Sequence, residues 1–286
     1  MELSDIGTVR QILARNKFHF SHSLGQNFIV DPDVCPKMAE LCGAGENAGV
    51  LEIGPGIGVL TKELSSRAAK VVAVELDHSL EPVLKETLAG CPNVRIIWGD
   101  VMKLDLCRIL REEFGGMDVF VCANLPYYIT SPVVMRFLEE KIPISALTVM
   151  VQKEAAERLC ARPGTRECGA VSVSVQYYSE PKILFGVPRF SFFPQPNVDS
   201  AVMRLDIRSK PPVAVENEKF FFALVKAAFG QRRKTAVNSI SAGLSLPKDR
   251  VLAALRNIGA LSTVRAEQLT MEQLAALTAA LLEKQG

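Results

Sequence analysis

A strand that runs straight into a glycine turn and then a helix constrains this chain more than any other feature. Gly49–Ile53 (GVLEI) is a short apolar run, Gly54-Pro55-Gly56-Ile57-Gly58 follows, and a helical stretch reads on through Arg67. Glycines at that turn let backbone approach a ligand, and the helix that follows presents orphan N–H groups at its first turn. The same logic recurs downstream. Lys70–Glu75 (KVVAVE) is strand-like and leads to a helix near 79–88; Val94–Trp98 is strand-like and ends in Gly99-Asp100. A fourth strand at 117–123 precedes Asn124, Ser131-Pro132 opens a helix, and 146–151 makes a fifth strand before a helix at Lys153–Cys160. Strands alternating with helices predict a mostly parallel, doubly wound sheet with right-handed crossovers. Two β-rich stretches, 170–178 and 198–207, lack long crossovers and read as antiparallel additions. Upstream, Asp31-Pro32 reads as an N-cap with proline at the first helical position, leading a helix to Cys42.

Beyond Ser209-Lys210-Pro211-Pro212 the pattern changes to helices only, at 217–229, 234–241, 248–258 and 270–283. The chain has 286 residues, enough for one large domain or two smaller ones at ~100–200 residues each. The expected division is a catalytic domain with an N-terminal helical segment over 1–208 and a helical domain over 209–286. Charge divides at the same place. From Arg208 onward there are twelve Lys or Arg against six Asp or Glu, a balance of +6, whereas residues 1–206 carry 21 against 25, a balance of −4. Arg232, Arg233 and Lys234 are the densest cluster, placing a basic module opposite an anionic partner.

Hydrophobic residues make up 48% and charged residues 22%, which excludes a mostly disordered chain. No apolar run approaches the ~18–20 residues that span a bilayer, and MELSDIGTVR has no signal-peptide block; the expectation is a cytoplasmic protein without membrane partners. The seven cysteines are scattered and nowhere spaced Cys-x-x-Cys, so they read as small buried hydrophobes in a reducing compartment. His19 and His22 stand three apart and His78 stands alone, with no cluster to complete a metal site; no metal is expected.

The glycine turn alone does not choose a ligand, but spacing does. A dinucleotide fingerprint starting at Gly54 requires glycine at 59, where this chain has Val59. Glu75, 21 residues after Gly54 at the end of the second strand, is placed to accept from both ribose hydroxyls, and Asp100 sits at the matching end of the third strand to accept from an adenine amine. A glycine turn and two carboxylates in this order fit an adenosine-containing ligand, and S-adenosylmethionine (SAM) fits better than a nicotinamide dinucleotide because it lacks a pyrophosphate.

Asn124-Leu125-Pro126-Tyr127 names the reaction. An exocyclic adenine amine is a poor nucleophile because its lone pair is delocalised into the ring. The Asn124 side-chain oxygen and the Leu125 carbonyl can accept both amine N–H bonds, which favours a pyramidal nitrogen with a localised lone pair. Pro126 fixes the turn and Tyr127 offers a ring face for the base. Placement supplies most of the catalysis. A base within a helix cannot enter such a pocket, so the target must be unstacked or flipped, with Phe192 or Phe193 as its second face.

These motifs resemble the KsgA/RsmA family of ribosomal RNA adenine dimethyltransferases over nearly the whole chain. The carriers are Leu24-Gly25-Gln26-Asn27-Phe28, Glu52-Ile53-Gly54-Pro55-Gly56-Ile57-Gly58, Glu75, Gly99-Asp100, Asn124-Leu125-Pro126-Tyr127, Phe192-x-Pro194-x-Pro196-x-Val198-Asp199-Ser200 and Phe229-Gly230-Gln231-Arg232-Arg233-Lys234-Thr235. The resemblance implies a Rossmann-like SAM-dependent methyltransferase sheet with a smaller all-helical C-terminal domain. It implies dimethylation of N6 on two adjacent adenosines in the 3′-terminal hairpin of 16S rRNA, within the small ribosomal subunit or its precursor, by a monomer taking part in ribosome biogenesis. By matching motifs, Asn27, Ile29, Gly54, Gly56, Glu75, Asp100 and Asn124 hold the cofactor. Asn124, Leu125, Pro126, Tyr127 and Phe192 serve the target adenine, and Arg232, Arg233 and Lys234 hold rRNA phosphates. His22 and Asn197 stand where the family often has lysine, which weakens a phosphate contact without touching the chemistry.

Two other functions remain open to the sequence. One is the related 23S rRNA adenine dimethyltransferase of the macrolide-resistance type, which usually has Asn-Ile-Pro-Tyr and lacks the Gly230–Lys234 match. The other is an assembly factor that binds immature small subunits without depending on catalysis.

Overall fold

The computed structural model describes residues 3–18 and 25–282. His19, His22, Leu24 and Glu283 lie outside them. The chain forms two compact units, the first made of Met1–Ala156 and Pro181–Ile207, the second of Glu157–Glu180 and Arg208–Gly286. The chain thus parts beside the expected joint at 208/209, but it also lends the segment Glu157–Glu180 to the second unit.

The first unit opens with α1 (Ile6–Arg15), β1 (Phe28–Ile29) and α2 (Val34–Leu41). Then come β2 (Gly49–Ile53), α3 (Val59–Ser65), β3 (Lys70–Glu75), α4 (Glu81–Thr87), β4 (Val94–Trp98), α5 (Leu106–Phe114), β5 (Val119–Asn124), α6 (Thr130–Glu139) and β6 (Ala146–Gln152). After α7 (Lys153–Cys160) and α8 (Ala170–Tyr178), the strands β7 (Ser179–Val187), β8 (Phe192–Phe193) and β9 (Ser200–Ile207) close it. Seven strands lie in the order β4-β3-β2-β5-β6-β9-β7, with β4 through β6 parallel and β9 antiparallel to β6. This is the doubly wound sheet expected from the alternating pattern. The order reverses direction between β2 and β5, and a crevice forms outside the carboxyl ends of strands at such a switch point. β2 and β3 are buried almost throughout, as continuous apolar runs in a helix-covered parallel sheet must be. Each large aliphatic side chain so buried stabilises by roughly 1.5–3 kcal/mol.

The second unit joins α8 to α9 (Glu218–Phe229), α10 (Ala236–Leu244), α11 (Lys248–Asn257) and α12 (Met271–Leu282). Phe221, Leu224, Val225 and Ala228 are buried on one face of α9, and Val251, Ala254 and Leu255 on one face of α11, at the spacing a helix requires.

Two expectations are corrected. Residues 170–178 (AVSVSVQYY) alternate like a strand yet form α8. Val173 and Tyr177, four apart, both enter the apolar core of the second unit, where the Tyr177 ring lies 5.3 Å from that of Phe221. Ser172 anchors the start by donating to the Arg158 carbonyl at 2.6 Å and accepting from the Gly169 N–H at 2.9 Å, while the Ser179 hydroxyl reaches back to the Val175 carbonyl. Core packing therefore overrides β propensity. Asp31-Pro32 does not open α2, whose N-cap is Asp33. The Asp31 carboxylate instead accepts from the Asp33 N–H at 3.1 Å and from the Ser191 hydroxyl at 2.7 Å. The cysteines are all free; Cys35, Cys42, Cys122 and Cys168 are buried, whereas Cys91 and Cys160 are half-buried and Cys107 is exposed.

Candidate active site

A cavity of about 260 Å3 lies in the first unit at the carboxyl ends of β2, β3 and β5. It is lined by Asn27, Ile29, Gly54, Gly56, Glu75, Asp100, Asn124, Leu125, Pro126, Tyr127 and Phe192; of the two phenylalanines expected as candidates for the second face, Phe193 does not line it.

Its floor is the glycine turn. Gly56 and Gly58 both have left-handed backbone, with φ of 58° and 88°. A Cβ on Gly56 would lie 3.2 Å from the Phe28 ring, so a side chain there would both strain the backbone and crowd its neighbour. Freed of that, the Gly56 N–H donates to Glu75 Oε2 at 3.3 Å, and the Asp77 N–H donates to Glu75 Oε1 at 2.8 Å. Burial pushes the Glu75 carboxyl above its ordinary value, and the backbone donors of Asp77, Gly56 and Leu76 oppose that. Each Glu75 oxygen thus has a fixed protein partner and a second lone pair for a ligand hydroxyl.

At the end of β4, Asp100 closes its own turn, Oδ1 accepting from the Met102 N–H at 2.9 Å. Arg136 on α6 secures that turn from outside, donating to the carbonyls of Val101 and Leu104. Leu76, directly after Glu75, and Met102, two residues after Asp100, remain 48% and 36% exposed at the cavity and give it apolar surface beside the two acids. Sequence reasoning passed over both; the signal was an apolar residue one or two positions after a strand-end carboxylate.

β1 and β8 form a two-stranded antiparallel ribbon, pairing Phe28 with Phe193 and Ile29 with Phe192. The ribbon ties the N-terminal segment that lines the cavity to Phe192 on its wall. Gln26 adds a second tie to the Asp77 carboxylate at 2.6 Å. Asn124, at the end of β5, donates from Nδ2 to the Asn27 carbonyl at 3.2 Å. That bond orients the amide and leaves its Oδ1 as the acceptor. The Leu125 N–H is held by the Met150 carbonyl at 3.1 Å. Tyr127 begins a 3-10 turn, and burial raises its phenol above the ordinary value.

Glu52 is the site residue that motif reading quoted without a role. It is 1% exposed and lines the cavity, and its Oε2 has no hydrogen-bond partner. Burial pushes its carboxyl up to about 8, with the Thr61 hydroxyl working the other way and Glu75 adding to the rise. Glu52 is therefore largely protonated at neutral pH unless a cation arrives beside it.

Arg232, Arg233 and Lys234 lie elsewhere, in the second unit. They form an exposed turn between α9 and α10, closed by the Lys234 N–H on the Gln231 carbonyl at 2.9 Å. Among the described residues no cluster of His, Cys, Asp or Glu is arranged to hold a metal ion, and no helix is long and apolar enough to cross a membrane.

The cavity fits an adenosyl sulfonium ligand in kind. It has two carboxylates at adjacent strand ends, apolar side chains beside them, a glycine turn with room for backbone approach, and one buried carboxyl oxygen still lacking a partner.

The sequence profile of the family described as ribosomal RNA adenine dimethylase matches residues 16–282. The chain is 49% identical over 280 residues to the ribosomal RNA small subunit methyltransferase A of Alkaliphilus oremlandii, covering 96% of each protein. It is 46% identical over 284 residues to the protein of the same description from a Geobacillus species, covering 98% of each. Among solved structures, the 23S rRNA methyltransferase ErmE superposes with a TM-score of 0.69 at 28% identity, over 90% of this chain and 100% of that one. A dimethyladenosine transferase from Plasmodium falciparum gives 0.70 at 23% identity over 87% and 95%, a likeness of fold.

Proposed function

The chain belongs to the ribosomal RNA adenine dimethylase family, and from that premise we propose that it transfers methyl groups from SAM to N6 of two adjacent adenosines in the 3′-terminal hairpin of 16S rRNA. The substrate is the small ribosomal subunit or its precursor, in the cytoplasm, and the protein acts as a monomer. The curated relatives named for the small subunit, at 46–49% identity over nearly full length, favour this substrate over the large subunit.

The observation that carries the reading is the meeting of Glu75, Asp100 and the glycine turn with Asn124-Leu125-Pro126-Tyr127 and Phe192 in a single cavity. Glu75 holds the ribose hydroxyls, Asp100 the adenine amine, and Leu76 and Met102 the adenine faces. Gly54, Gly56, Asn27 and Ile29 border the rest of the cofactor. When bound, SAM supplies the activated methyl group. The side-chain oxygen of Asn124 and the carbonyl of Leu125 accept the N–H bonds of the target amine, so the nitrogen presents a localised lone pair. Tyr127 and Phe192 take the two faces of the flipped base. The product nitrogen releases its proton to water. The second unit, Glu157–Glu180 with Arg208–Gly286, is the rRNA-binding domain, with Arg232, Arg233 and Lys234 on phosphates.

The test is methyl transfer from labelled SAM to small and large subunits lacking these modifications, followed by identification of the modified nucleoside. N6,N6-dimethyladenosine in the small subunit alone is the expected result. Label in the large subunit would transfer the assignment to the resistance-type reaction, and no label in either would leave a binding factor.

A further inference from the structure

The aromatic wall of the cavity is held at a point that no motif reading gave a role. The hydroxyls of Tyr127 and Ser200 lie 2.9 Å apart and share a hydrogen bond across 73 residues of sequence. Ser200 is 1% exposed at the start of β9, paired with Gln152 at the end of β6. Its neighbour Asp199 is fixed as well. The Lys153 N–H donates to the Asp199 carbonyl at 3.1 Å, and the Asp199 carboxylate accepts from the Arg189 N–H at 3.0 Å, in the turn that leads to Phe192.

β6 thereby serves as a common ruler. At Met150 it faces Asn124 in register and holds the Leu125 N–H; two residues on, at Gln152, it faces Ser200. The backbone under Tyr127 and the tip of its ring are both referenced to one rigid strand. A phenol that needed only a greasy face would do as well as phenylalanine. A buried hydroxyl aimed at its oxygen serves a different end, which is to fix the ring plane.

We propose that Ser200 is a positioning residue for methyl transfer, holding the Tyr127 ring at the angle and depth at which the target adenine stacks. The proposal rests on the assignment of Tyr127 to the target base. Ser200 touches neither reactant, so its loss changes the geometry of the bound base rather than the hold on the cofactor.

Tyr127→Phe deletes one oxygen from the half-exposed partner, and Ser200→Ala deletes the other from the buried one. Transfer to unmodified small subunits is measured for each variant and for the double variant, with SAM affinity and melting temperature alongside. Each single change lowers kcat about tenfold, the scale at which small misplacements of a reacting group act, while KM for SAM stays within about twofold. The double variant is no slower than either single one, because both remove the same bond. Ser200→Ala at the wild-type rate overturns the proposal, as do additive losses, or a loss of SAM affinity in step with a fall in melting temperature. Tyr127→Ala separates the premise from the proposal. If it too transfers at the wild-type rate, Tyr127 is not the adenine platform. If it is inactive while Ser200→Ala is unimpaired, the platform stands and Ser200 does not position it.

Discussion

The two units handle charge in opposite ways. The first carries its chemistry inside, with Glu52 and Glu75 at 1% and 7% exposure and the Asn124 amide held by a neighbouring backbone carbonyl. The second has an apolar interior built from Phe221, Leu224, Leu255, Leu274 and their neighbours, and wears Arg232, Arg233 and Lys234 on its surface. Fine control of a proton or a lone pair needs desolvated groups with fixed partners, because interactions strengthen as water leaves. Holding phosphate needs long solvated cations that pay little to stay charged, and their effect is tuned by salt. The same side-chain type, a charge, is a liability to be partnered in one unit and a solvated handle in the other.

Substitutions separate the two regimes. Asn124→Ala should produce the largest effect: methyl transfer falls by about 10²–10³-fold, while SAM binding, measured by calorimetry, is weakened but detectable. Near-normal transfer would remove the side-chain oxygen from the chemistry. Phe221→Ala opens a cavity in the second unit and should cost about 3–5 kcal/mol there by denaturant unfolding. SAM affinity should hold, and its loss would show that the first unit depends on the second. Neutralising Arg232, Arg233 and Lys234 together should weaken small-subunit rRNA binding and flatten its salt dependence by up to roughly two counterions, with the affinity for SAM unchanged. An unaltered slope would take this turn out of the interface.

The effect that is smallest at any one pH step, though it accumulates, is a pH dependence of stability in the first unit. The buried Glu52 carboxyl titrates at about 8 in the folded chain against an ordinary value of 4.5, so between those values the folded state binds the extra proton. Stability therefore declines as pH rises through that window, by at most ~1.4 kcal/mol per pH unit, and levels off above it. Glu52→Gln should remove this slope in urea midpoints collected from pH 5 to 9 without SAM. A slope unchanged by the substitution would mean that Glu52 is ionised in the folded protein.

Much of the first unit was legible because its signals are local. A run such as KVVAVE ending in a carboxylate, or GVLEI ending in glycines, specifies both a strand and what stands at its tip. Glu75, Asp100 and Asn124 could thus be placed on one sheet edge before any coordinates. The β1–β8 ribbon was not legible, since two residues per strand leave no periodicity to read. Neither α1 nor β7 was singled out, and α8 was misread because the alternation of valine and serine mimics a half-buried strand. What decides α8 is Phe221, more than forty positions away, and no local pattern contains that information. Ser200 escaped for a similar reason, because its partner Tyr127 belongs to a different motif.

The segment Glu157–Glu180 leaves the first unit and returns before its last strands are made. Seen from the translating ribosome, this is an order-of-assembly problem. Val173 and Tyr177 emerge roughly forty residues before the helix that carries Phe221, which at ~5–20 residues per second means an apolar stripe waiting some ~2–9 s for its cover. For the same reason, cutting the gene at the joint after Arg208 would not yield a clean catalytic piece. It would yield one whose α8 has been orphaned, sticky along Val173 and Tyr177, and prone to find its cover on another chain.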